Sequence, residues 1–221
     1  MFRKKTDENR EILLQAFYNL EDKLVQKLGT GSNTIAFTAA DDNTNKTASV
    51  VNMAHHLAED GDKVLIIDAN LRYSELADVL GNSSDTGFVD VILGDYDIDE
   101  VLISDQKYKT LDIMHTGDVA AYADKFLEPA VIRDFFADIS ESYDYVFIDL
   151  TPNYDIAEAN MFAANADGVV VFTTSQNASS TKTRDSLSQL EKVNANILGL
   201  IIAGYDYSED ELDDLFGGND E

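Results

Sequence analysis

Cysteine is absent from this 221-residue chain, which removes both a disulfide framework and any thiolate metal site. Basic residues are scarce: 16 Lys and Arg stand against 42 Asp and Glu, a formal net charge of −26. Such a surface repels phosphate backbones and anionic headgroups, which argues against nucleic-acid or direct lipid binding. A solvated surface, or a salt-adapted host, accounts for the acidity without a specific partner. No run of 18 apolar residues occurs, and Met1-Phe2-Arg3-Lys4-Lys5 carries no apolar signal core. No direct membrane insertion is therefore expected, and the chain reads as cytoplasmic. Proline is nearly missing as well. Pro129 and Pro152 are the two in the chain, and no linker-like or repeated segment divides it.

What is present is enough apolar content, 44%, to bury the core of one α/β domain. Strand-like runs fall at residues 34–40, 63–69, 111–117, 145–150, 168–174 and 197–204. Several are continuous in branched and aromatic residues, as in Val64-Leu65-Ile66-Ile67 and Val169-Val170-Val171-Phe172. Strands apolar on both sides belong inside a parallel sheet covered by helices. Helical patterns alternate with them at 47–59, 74–80, 123–140, 155–165 and 180–193, and a longer one at 7–28 precedes the first strand. The expected fold class is α/β: a doubly wound, mostly parallel sheet flanked by helices, as a single domain. We expect an N-terminal helix in 1–30, the α/β domain in 31–204 and an acidic tail in 205–221.

Ligands in open parallel sheets bind beyond the carboxyl ends of the strands, and three motifs fall there. After the first strand comes Ala39-Ala40-Asp41-Asp42-Asn43-Thr44-Asn45-Lys46-Thr47, a polar turn running into a helix through a Lys-Thr pair. That is the layout of a phosphate-binding loop. Lys46 would reach phosphate oxygens, Thr47 would ligate Mg²⁺, and backbone N–H groups around Asn43, Thr44 and Asn45 would face the anion. After the second strand stands Asp68, placed to order metal-bound water or accept a proton. After the fourth stands Asp149, in the position of a Walker B aspartate behind the metal. Each alone is a weak signal, since a strand-end Asp is as often an ordinary cap or turn residue. The ordered set points to P-loop ancestry. His55, His56 and His115 have no metal-triad spacing. Leu14, Phe17, Tyr18 and Leu20 lie at helical spacing and read as core packing.

These motifs resemble the bacterial tyrosine kinases of capsule and exopolysaccharide biosynthesis, a P-loop branch close to the MinD/ParA ATPases. The family's S-A-x-P-G-E-G-K-S falls on Ala39 to Thr47. Its I-D-A-D-L-R-x-P is matched by Ile67-Asp68-Ala69-Asn70-Leu71-Arg72-Tyr73-Ser74, and its Y-D-Y-V-I-I-D-T-P-P by the ten residues from Tyr143 to Pro152. The resemblance implies ATP and Mg²⁺ as cofactors, Asp68 and Asp149 as catalytic and metal-side carboxylates, and phosphoacceptor tyrosines at the C-terminus, here Tyr205 and Tyr207. It also implies a membrane polysaccharide co-polymerase as partner and recruitment through it to the inner membrane face.

Departures from the family cluster at the chemistry. Asn43 and Asn45 replace loop glycines used where φ is positive; Asn tolerates that region best among side-chain-bearing residues but adds bulk. Asp41 and Asp42 stand near the phosphate path, where each carboxylate–phosphate pair at 4 Å costs about 1 kcal/mol in water and more when buried. Asn70 replaces an aspartate and provides no base. The charged ring-closing positions read Gln15, Tyr18 and Glu21, so a ring oligomer is not expected. The leading expectation is a degenerate, regulatory pseudoenzyme acting with the co-polymerase or with an active kinase paralogue, in which case there is no obligate cofactor. The alternative is an active MgATP-dependent autokinase modifying Tyr205 and Tyr207. A MinD/ParA-like positioning ATPase comes third.

Overall fold

A strand that is apolar on both sides needs cover on both, and each central strand here divides its residues by simple alternation. A computed structural model describes residues 33–122, 128–153 and 157–204, with Tyr18, Asn19 and Gln26. Strands β1 (Thr34–Ala39), β2 (Val64–Ala69), β3 (Leu102–Ser104), β4 (Leu111–Met114), β5 (Tyr145–Leu150), β6 (Gly168–Thr174) and β7 (Ile197–Ala203) form one seven-stranded sheet in the order β3-β4-β2-β5-β1-β6-β7. All neighbours are parallel except β3, which pairs antiparallel with β4. Leu65, Ile67, Val146, Ile148, Val169 and Val171 enter one core layer; Val64, Ile66, Phe37, Phe147, Val170 and Phe172 enter the other.

Helices α1 (Lys46–Asp60), α2 (Glu75–Leu80), α3 (Phe88–Leu93), α4 (Ile98–Val101), α5 (Val119–Tyr122), α6 (Pro129–Ser140), α7 (Ala157–Asn165) and α8 (Thr181–Lys192) cover the two faces. Val50, Met53, Ala54 and Leu57 of α1 fill the Phe37–Phe147 layer; Ile132, Phe135 and Phe136 of α6 and Phe162 of α7 fill the opposite one. Helix α2 opens on Ser74, whose hydroxyl accepts from Ala77 N at 3.3 Å. Helix α8 opens on Ser180, which accepts from Thr183 N at the same distance.

The structure departs from the sequence reading in several places, and helices α3, α4 and α5 fall where the pattern predicts none. The helix expected over 123–140 begins at Pro129, because proline has no N–H to give and suits the first helical position, while Glu128 before it is extended (φ −84, ψ 133). Residues 123–127 lie outside the described residues. Strand β3, three residues at the sheet margin, carries too little pattern to be read. The strand expected over 111–117 ends at Met114. There Phe88 N and Val89 N donate to His115 O and Thr116 O, drawing the chain out of the sheet. A Cβ at Gly87 would meet His115 O at 1.9 Å, so glycine alone admits this approach. The expected 1–30 helix, apart from Tyr18, Asn19 and Gln26, and the 205–221 tail lie outside the described residues.

The start of β1 is tied to β6 by Asp167, whose Oδ2 accepts from Asn33 N, Thr34 N and Thr34 Oγ1 at 3.0, 3.0 and 2.7 Å. Phe147 sits at the centre of its layer, fully buried and edge-on to Phe37 at 5.0 Å between ring centres. Phe147→Ala is expected to lower unfolding free energy by about 3–5 kcal/mol, read as a shifted denaturation midpoint at unchanged slope.

Candidate functional site

Register brings the carboxylates together. Asp68 and Asp149 are Cα partners on the neighbouring parallel strands β2 and β5, and Phe37 of β1 is level with Asp149. Alternation sends both side chains to the face covered by α1, as with Ile66 and Phe147 two residues earlier. The loop after β1 delivers the first turn of α1 to that same place. Neither aspartate is exposed, and Lys46 is 4% exposed.

The loop keeps a nest-like backbone without glycine. Asn43 (φ 61) and Asn45 (φ 52) both occupy the left-handed region, which glycine enters without steric cost. Asn45 caps α1 through its backbone, its carbonyl accepting from Ser49 N at 3.0 Å, with no side-chain cap bond. Asn43 and Asn45 are exposed, whereas Thr44 is buried.

The two loop carboxylates take different paths. Asp42 is exposed. Asp41 turns inward to the end of β6, where its Oδ2 accepts from Thr174 Oγ1 at 3.0 Å, Thr173 Oγ1 at 3.3 Å and Thr174 N at 3.4 Å. Its Oδ1 is buried without a hydrogen-bond partner. Together with the bond from Ala40 N to Phe172 O (2.8 Å), these contacts fasten the loop to β6.

At the helix end of the loop, Lys46 Nζ forms a buried ion pair with Asp149 Oδ1. It also lies 3.3 Å from Thr47 Oγ1 as donor. The Thr47 hydroxyl faces two carboxylate oxygens, Asp149 Oδ2 at 2.7 Å and Glu75 Oε2 at 3.0 Å. Asp68 Oδ1 accepts from Asn70 N at 3.0 Å and Oδ2 from Ser74 Oγ at 2.5 Å. Burial, and then the charge of Asp149, raises the Asp68 carboxyl to about 6; the bonds from Ser74 and Asn70 oppose the rise. Asn70 is structural: its amide oxygen accepts from Arg72 N, Tyr73 N and Thr151 Oγ1 at 3.2, 3.3 and 3.0 Å.

The residues read as site residues from the sequence thus converge in Lys46, Thr47, Asp68 and Asp149, with Asn43, Thr44 and Asn45 shaping the approach. Tyr205 and Tyr207 lie outside the described residues, as do Gln15 and Glu21. Tyr18, read as core, is instead 37% exposed, with its hydroxyl 2.9 Å from His56 Nε2 on α1. Sequence reading missed Glu75 and Ser74. Glu75 looked like any first-turn carboxylate complementing a helix dipole, and Ser74 like a simple cap.

Comparison with known proteins adds lineage. The AAA-domain family matches residues 32–199. The succinoglycan biosynthesis transport protein ExoP of Rhizobium meliloti is 27% identical over 207 residues, 92% of this chain and 26% of that protein. The tyrosine-protein kinase CpsD of Streptococcus pneumoniae is 23% identical over 198 residues, 89% of this chain and 87% of that protein. The chain spans about a quarter of the length of the first of these relatives and most of the second. Among solved structures, the kinase domain of the Escherichia coli tyrosine kinase ETK superposes with a TM-score of 0.70 at 21% identity, covering 83% of this chain and 74% of that one. MinD of Pyrococcus horikoshii with Mg-ADP superposes at 0.66 and 22% identity, covering 83% and 77%. These likenesses establish the fold.

The raised Asp68 carboxyl fixes a sign for stability. Its folded value lies above the ordinary 3.8, so the folded state holds the proton more tightly than the unfolded chain. In metal-free buffer, stability is expected to fall as pH rises from about 4 to about 6 and then level, by about 1–3 kcal/mol. Asp68→Asn should remove that slope and leave the protein more stable than wild type at pH ~7. Denaturant titration across pH measures it; an unchanged slope would show that Asp68 does not carry the effect.

Proposed function

The chain belongs to the AAA-domain family and is related to the tyrosine kinases of capsule and exopolysaccharide biosynthesis, and from that premise we propose that it is a regulatory, kinase-like P-loop protein whose nucleotide site is closed on its own carboxylates. The observation that supports this reading is the buried Lys46–Asp149 ion pair. The residues fit a magnesium nucleotide in kind: Lys46 for phosphate oxygens, Thr47 and Asp149 for the metal, Asp68 beside them, and left-handed backbone at Asn43 and Asn45. Such a group, when bound, supplies a transferable phosphoryl and a divalent charge.

The opposition is electrostatic. Lys46 reaches a phosphate only by leaving a fully buried Asp149. Stranding one partner of a buried pair costs about 3–5 kcal/mol, or about 10²–10⁴ in affinity, unless a divalent cation arrives to take the lysine's place. Asp41 keeps a further buried carboxylate in the same loop. In this reading the chain works by binding. It docks a membrane polysaccharide co-polymerase or an active kinase paralogue and sets that partner's activity without transferring phosphoryl itself.

One observation favours the catalytic alternative, an MgATP-dependent autokinase. The Asp68 carboxyl, raised to about 6, sits near the value at which a general base works well close to neutrality. Lys46 would then hold phosphate, Thr47 and Asp149 the metal side, and Asp68 would take the proton of Tyr205 or Tyr207.

Thermal unfolding with MgATP separates the two. Ligand at a hundred times its dissociation constant adds about 2.7 kcal/mol, which for a chain of this size raises Tm by about 5–10 °C. The regulatory reading expects a shift below about 1 °C at about 1 mM MgATP. A full shift with labelling of Tyr205 or Tyr207, both lost in Lys46→Met, overturns it and establishes the kinase. Where wild type shows no shift, Asn43→Gly and Asn45→Gly combined with Asp41→Asn and Asp42→Asn leave the Lys46–Asp149 pair in place and are expected to recover none. A recovery of several degrees would put the fault in the loop instead of the ion pair.

A further inference from the structure

The segment after β2 reaches back onto the site through two successive side chains. Ser74, at the position where the resembling kinases read proline, donates to Asp68 Oδ2 at 2.5 Å. Glu75 extends from the first turn of α2 to Thr47 Oγ1, 3.0 Å from its Oε2. A hydroxyl carries one proton, yet Thr47 faces both Asp149 and Glu75 while Lys46 lies on its acceptor side. Asp149 already satisfies that proton at 2.7 Å. Glu75 therefore adds negative charge at the Lys46–Thr47 corner beyond what the hydrogen bonding there requires. Three carboxylates stand about this corner: Asp149 pairs with Lys46, Glu75 faces Thr47, and Asp68 is the strand partner of Asp149.

We propose that Glu75 is an internal anion placed beside Thr47 where phosphate would approach, so that, with the Lys46–Asp149 pair, it weakens the uptake of nucleotide by this chain. The inference rests on reading this corner as a nucleotide site and names the group that regulates it. Glu75 is exposed, unlike Asp149, so it can swing away at little cost to packing. It acts through its charge, by repelling an incoming polyphosphate. Glutamine at this position keeps a side chain of the same size beside Thr47 but removes the repulsion.

The test is calorimetric titration of wild type, Glu75→Gln and Glu75→Asp with ADP, once with Mg²⁺ and once with chelator, up to about 5 mM. Glu75→Gln is expected to bind ADP about tenfold more tightly than wild type in both conditions, with the larger gain in chelator, while Glu75→Asp stays near wild type. Equal affinities in wild type and Glu75→Gln, including no binding by either, overturn the proposal. A Glu75→Gln chain that binds MgADP more weakly than wild type also overturns it and makes Glu75 a metal-side ligand. The reading of the chain as regulatory is judged on wild type alone, whereas this proposal is judged on the ratio between variant and wild type. Tight wild-type binding would sink the first and leave the second to be decided by that ratio. Melting without nucleotide controls for a purely structural effect, which would move Glu75→Gln and Glu75→Asp alike.

Discussion

One ammonium group holds the functional end of this molecule together. Lys46 is buried, and a buried cation must be paired or lose its charge. Asp149 supplies the pair, and its other oxygen fixes Thr47. Because Lys46 and Thr47 form the first turn of α1, the ion pair pins the start of that helix to the end of β5. Asp68, in register with Asp149, is buried and then feels that carboxylate's negative charge, so it holds its proton more tightly than a solvated aspartate would.

The sheet makes this arrangement obligatory. Alternation along β2 and β5 places an aspartate on the α1 side of each strand at the same level, in positions that continue a wholly apolar face. A one-residue slip of either strand would drive that carboxylate into the opposite, apolar layer of Ile67, Ile148 and Leu150. Hydrophobic patterning therefore fixes where the charges stand, and the lysine answers them.

Much of this was legible in the sequence. Six of the seven strands announce themselves as apolar runs, and the three strand-end motifs sit in chain order. The positive φ of Asn43 and Asn45 follows from what glycine does at those loop positions. The remainder was hidden for definable reasons. Strand β3 is too short to carry a period. Pro129 marked a helix start inside a segment whose apolar pattern runs on both sides. Glu75 is an exposed first-turn glutamate, and only three-dimensional proximity to Thr47 distinguishes it from a solvated one. Asp41 reads as a charge facing the ligand path, but the threonines of β6, far away in sequence, turn it inward.

The two left-handed asparagines give the loop a mechanical character. A glycine rests in that conformation at no cost, whereas a residue with a Cβ is held there against a preference of about 1 kcal/mol. The restraint comes from outside the turn, at the hydrogen bonds joining Ala40 and Asp41 to Phe172, Thr173 and Thr174. The loop is thus a bent spring anchored on β6, and its curvature belongs to the anchor more than to the turn itself. A glycine loop would keep its shape if the anchor were cut; this one would unbend.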